Sequence, residues 1–112
     1  MKRQLLLLLA AFLPGMAQAS GYYFNAADTL DHLRLAYDGN DPGAKAAYFR
    51  GYVAGVADSV FGNAWCPPSK VDTEQIYRIV SKYMREHPAT ANQDASAVVT
   101  SALGASFPCR NK

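Results

Sequence analysis

Four stretches of helical spacing, each with its own start and stop signals, fill residues 26–106, and residues 20–112 contain no sustained alternation of β-branched and aromatic residues. The expectation is an all-α fold, a compact bundle of about four helices. The first runs from about Ala26 to Asp38, with Asn25 as cap, Asp28 at the positive end, and Leu30, Leu33 and Tyr37 on one face; Gly39 ends it. Asp41-Pro42 opens a second that reaches about Phe61, with Phe49, Tyr52, Val53, Val56 and Val60 as its buried stripe. Gly51 and Gly55 each cost up to about 1 kcal/mol of helix propensity, so their spacing predicts that another helix lies close there. The third starts at the cap Asp72, with Gln75 completing a capping box and Val71 facing Ile76 as a staple. Its apolar face reads Ile76, Ile79, Val80 and Tyr83, and His87-Pro88 stops it. After a short polar connection from Ala89 to Gln93, the fourth runs from about Asp94 to Ser106 and buries Ala95, Val98, Val99, Ala102 and Leu103.

The N-terminus has a different character. Lys2-Arg3 precedes an apolar run from Leu5 to Leu13, then Pro14-Gly15 and Ala17-Gln18-Ala19, the three parts of a secretory signal peptide. That run is too short to span a bilayer, which takes roughly 20 residues. The expected organisation is a signal peptide over 1–19 and a single helical domain over 20–112, working outside the cytoplasm. Removing 19 of 112 residues leaves 93, with nine basic and nine acidic side chains. A neutral domain without a basic patch argues against nucleic acid, and against a membrane once the signal is cleaved.

Cys66 and Cys109 are the only cysteines, and an oxidising compartment favours joining them. Closing this loop is worth roughly 4 kcal/mol in the chain-entropy picture, a large share of a small domain's stability. A reactive thiol would call for a different setting, such as Cys-x-x-Cys or a neighbouring cation.

The chain carries little chemistry. His32 and His87 do not form a metal-binding pattern with other ligands, and neither a nucleophile elbow nor a phosphate loop is present. Asp58 and Asp72 read better as a polar helix position and a helix cap than as an acid–base pair. No catalytic residue, cofactor or metal is expected, and the chain reads as a binding protein. Tyr22, Tyr23, Phe24 and Trp65 fall outside the core stripes; they either close the ends of the bundle or anchor a partner.

The order of motifs is familiar: Gly51-Tyr52-Val53-Ala54-Gly55-Val56-Ala57-Asp58, Cys66-Pro67, Val71-Asp72-Thr73-Glu74-Gln75, Tyr83 with His87-Pro88, then Ala102-Leu103 and Phe107-Pro108-Cys109. Over Tyr48 to Cys109 this resembles the Rap/Tai family, small periplasmic helical proteins that include immunity proteins against type VI secretion amidase toxins. The resemblance implies a disulfide-bonded helical domain, often a homodimer, that blocks the cleft of a cognate peptidoglycan amidase. Relatives carry a second cysteine pair near Ala36 and Phe49, absent here, which loosens the expected hold on the first helix. Inhibition of this kind is steric, and the contacts should lie between the structural motifs. The candidates are Asn63, Trp65, Pro68, Ser69 and Lys70 in the bridged loop, and Ala89, Thr90, Asn92 and Gln93 in the second connection.

The alternative is a periplasmic structural or acid-chaperone-like helical protein with no toxin partner. A dye-binding titration into acid separates the two. An inhibitor keeps its core closed, whereas a chaperone-like protein exposes apolar surface and the dye fluoresces.

Overall fold

The computed structural model describes residues 26–110. The four segments form helices α1 (Ala27–Asp38), α2 (Ala44–Ser59), α3 (Thr73–Glu86) and α4 (Ala95–Ser106), with a 3-10 turn over Pro88–Asn92. The leader, the Asn25 cap and the Tyr22–Phe24 cluster lie outside the described residues.

The apolar α4 organises the packing. It meets each of the other three helices, while α1 packs mainly on α2. All five positions expected to face inward, Ala95, Val98, Val99, Ala102 and Leu103, are buried. Opposite them stand Leu30 of α1, Phe49 and Val53 of α2, and Val80 of α3, each fully buried. Phe49 stacks on Tyr37 with ring centroids 4.9 Å apart.

Local chemistry moves several boundaries. Asp41 does not cap a helix starting at Pro42; its Oδ1 accepts the Gly43 N–H at 2.7 Å, closing a turn around the proline. Asn40 enters that turn at φ 55°, and α2 starts at Ala44. At the other end α2 stops at Ser59, short of Phe61, because Gly62 at φ 79° turns the chain and donates its N–H to the Trp65 carbonyl at 2.9 Å. Helix α3 starts at the expected cap, where Asp72 Oδ1 accepts the Glu74 N–H at 2.9 Å. Its buried line is Ile76, Val80, Ser81 and Met84; Ile79 and Tyr83 are only partly covered, so the helix is rotated from the expected face.

The glycine strip is also corrected. Gly51 and Gly55 are exposed, and nothing lies within 4 Å of where a Cβ would stand at either. The close approach occurs at Gly104 instead, where a Cβ would sit 2.9 Å from the Ala64 carbonyl oxygen. The loop between α2 and α3 lies flat on α4 at that point. Cys66 joins Cys109 there, with Cα atoms 4.8 Å apart, and its N–H donates to the Phe107 carbonyl at 2.8 Å.

Two predictions follow from urea unfolding. Gly51→Ala and Gly55→Ala each stabilise by about 1 kcal/mol, whereas Gly104→Ala destabilises by up to about 2 kcal/mol despite the same gain in helix propensity. Removing the bridge through Cys66→Ser with Cys109→Ser costs about 2–5 kcal/mol.

Candidate partner-binding site

The bridged loop begins where α2 ends. Val60 closes the helix, and its carbonyl accepts the N–H groups of Asn63 at 3.1 Å and Ala64 at 2.9 Å. This turn pushes Phe61 outward and Trp65 inward. Phe61 is 59% exposed; Trp65 is 3% exposed, and its indole N–H donates to the Ala57 carbonyl at 2.8 Å. The two rings meet edge-on at 5.3 Å, and Phe107 closes the far side of the indole at 5.9 Å. Trp65 is therefore a core residue that fixes the loop from beneath. Asn63, Pro68, Ser69 and Lys70 are exposed around it. Beside them a shallow groove of about 530 Å³ runs between Pro68 and the Phe107–Pro108 end of α4.

The second connection behaves differently. Ala89, Asn92 and Gln93 are exposed, but Thr90 is buried and its Oγ1 donates to the His87 carbonyl at 2.7 Å. The Gln93 carbonyl accepts the Ala27 N–H at 2.6 Å, fastening this turn to the start of α1. The two candidate sets flank opposite ends of α4, whose 12 residues span roughly 18 Å. They do not form one small site.

Sequence reasoning missed Phe61, which it placed as the last residue of α2. The Gly62-Asn63 pair that follows is a turn signal that would have released it. It also missed Arg34, which is only 6% exposed. Arg34 donates through Nε to Asp31 at 2.8 Å and through Nη1 to Asp38 at 2.6 Å. Asp38 accepts in addition from the buried Ser81 Oγ at 2.6 Å and from Arg85 Nη1 at 3.1 Å, joining α1 to α3. Further along, the Tyr37 hydroxyl donates to Glu74 Oε2 at 3.1 Å, and the Arg50 guanidinium stands 5.1 Å above the Tyr37 ring. Burial raises the Tyr37 pKa above its ordinary value, and donation to the Glu74 carboxylate raises it further; the Arg78 and Arg50 charges pull the other way.

His87 caps α3 as its position implied, with Nδ1 2.8 Å from the Tyr83 carbonyl and its ring stacked on Tyr83. His32 is exposed. Among the described residues no group of three or more His, Cys, Asp or Glu is placed to hold a metal ion.

What this helical, singly bridged scaffold is for emerges from comparison with known proteins. The model of the Rap1a immunity proteins matches residues 25–109, a span that takes in all four helices and both cysteines. The chain belongs to the Rap1a immunity protein family. No curated protein sequence matches it. Membership in the Rap1a family makes it an immunity protein directed at a toxin, in a class of secreted or periplasmic, generally non-enzymatic proteins. No helix among the described residues is long and apolar enough to cross a membrane.

Two expectations concern the α1–α3 contacts of this Rap1a-family protein. Asp38→Ala leaves the buried Ser81 hydroxyl without its acceptor and Arg34 with Asp31 alone, and costs about 2 kcal/mol in chemical denaturation. Because the folded Tyr37 pKa is raised, its contribution is complete below the unfolded value near 10 and is lost as pH climbs through the folded value. Tyr37→Phe costs about 1 kcal/mol at neutral pH and flattens this part of the alkaline loss, read from melting temperature against pH.

Proposed function

We propose that this protein is exported by its signal peptide to the periplasm, where it binds a type VI secretion peptidoglycan amidase and sterically closes its active-site cleft. The observation that carries this reading is the preorganised loop. An exposed aromatic, Phe61, stands on a turn fixed by the buried Trp65 and by the Cys66–Cys109 bridge. A loop already held in one shape loses little conformational freedom on entering a cleft, so more of the contact energy appears as affinity. Phe61, Asn63, Pro68, Ser69 and Lys70 form the proposed contact, with Phe61 as its anchor. Ala89, Asn92 and Gln93 form a second patch that only an extended partner surface would reach. Trp65 and Thr90 act from inside by keeping each turn in place. Dimerisation, implied by the resemblance, belongs to the same proposal and is read from sedimentation velocity.

The test is a pull-down with tagged, oxidised protein from the source organism's extract, followed by mass spectrometry and a peptidoglycan cleavage assay. A stoichiometric amidase whose cleavage is abolished is the expected result. An extract in which the toxin is demonstrably expressed but does not bind overturns the proposal. Phe61→Ala, at an exposed position, should weaken binding about thirtyfold, equivalent to about 2 kcal/mol, while the melting temperature changes little. Equal affinity removes the loop from the contact. N-terminal sequencing of periplasmic protein should begin at Ser20.

A further inference from the structure

A groove of about 500 Å³ runs along the C-terminal part of α1 and the outer side of α3, away from the bridged loop's exposed tip. Four cations line it, Arg50, Arg78, Lys82 and Arg85, against two carboxylates, Asp38 and Glu74. Both carboxylates are already engaged. Asp38 accepts from Arg34, Ser81 and Arg85, and Glu74 accepts from Tyr37 and pairs with Arg50 at 3.5 Å. Arg78 and Lys82 sit one helical turn apart, are both exposed, and have no carboxylate within ion-pair distance among the described residues. The surplus is thus local. Residues 20–112 carry equal numbers of acidic and basic side chains, while this groove holds two unmatched positive charges.

We propose that the groove docks an acidic segment of a protein partner, with two or three of its carboxylates seated against Arg78 and Lys82 and the outer edges of Arg50 and Arg85. Guanidinium groups suit this role, because their planar N–H forks match carboxylates in paired hydrogen bonds. A surplus of two charges is too small for a string of phosphates. Nucleic acid or an anionic lipid surface would call for a larger basic cluster without interspersed acids. The inference rests on the immunity proposal only for the identity of the protein that supplies the segment. An exposed charge surplus of this kind acts mainly on the rate and specificity of encounter.

Two measurements test it. In the first, amide NMR of the oxidised protein is titrated at low salt with hexaglutamate peptide, with hexalysine as control. Shifts should concentrate on residues around Arg78, Lys82, Arg50 and Arg85 and disappear in an Arg78→Glu/Lys82→Glu variant whose spectrum shows it folded. Shifts spread equally over Lys45, Lys70 and Arg110, or unchanged in the variant, overturn the proposal. So does binding of phosphatidylglycerol vesicles in place of the peptide. In the second, association with the toxin recovered by pull-down should slow about tenfold in the variant at low salt, with the difference fading near about 0.5 M salt. Equal rates for variant and wild type remove the groove from the toxin interface and leave the immunity proposal standing. Selective peptide binding by a protein that binds no toxin supports the groove and overturns the immunity proposal.

Discussion

The clamp formed by Trp65 and the Cys66–Cys109 bridge is the constraint on which the rest of this structure depends. The bridge joins the middle of the chain to its end, and the Trp65 indole, hydrogen-bonded to the Ala57 carbonyl, fixes the intervening turn to the last part of α2. The Cys66 N–H then donates to the Phe107 carbonyl, and the Ala64 carbonyl presses onto α4 at Gly104. A glycine is needed there because a side-chain atom at 2.9 Å from a backbone oxygen would force the loop outward. These contacts seat a loop without regular secondary structure on the core through the buried Trp65. They explain how an exposed phenylalanine can be carried on it in one orientation.

Helix α1 poses the opposite problem, since it lies outside the loop that the Cys66–Cys109 bridge closes. Three other contacts hold it. Tyr37 stacks on Phe49, the Ala27 N–H reaches the Gln93 carbonyl at one end, and Asp38 gathers Arg34, Ser81 and Arg85 at the other. Charge networks of this sort contribute less net stability than a covalent bridge, because desolvating Arg34 offsets much of what its ion pairs return. Their directionality compensates. Ser81 lies in the core only because Asp38 accepts its hydroxyl, which sets the rotation of α3 against α1.

That rotation marks where sequence reasoning stopped. The number of helices, the Asp72 cap and all five buried positions of α4 were legible, since capping and an apolar face are local signals. The face of α3 was not, because Ile76–Ile79–Val80–Tyr83 and Ile76–Val80–Met84 both follow helical spacing. The choice between them came from a residue 43 positions away, Asp38. Gly51 and Gly55 were misread for a related reason. A small residue four apart from another permits close approach, but the sequence does not say whether a neighbour arrives. Of the nine candidate contact residues, Trp65 and Thr90 proved buried, and the exposed remainder is divided between the two ends of α4. Arg34 read as an ordinary surface cation, and only the packing of α1 on its neighbours reveals it as an interior one.

The immunity role places a particular demand on such a scaffold. Under the proposed cleft inhibition, discrimination between toxins rests on shape and charge, which can be tuned separately. In this protein they occupy different parts of the fold. The bridged loop carries apolar shape on a rigid support, whereas the unmatched cations lie on the outer turns of α3, where substitutions leave the core untouched. Changing Arg78 or Lys82 alters the electrostatic field without disturbing Trp65, and changing Phe61 alters the shape without disturbing Asp38. If both proposed surfaces meet the toxin, either can change in this protein while the clamp and the α1–α3 network keep the helices in place.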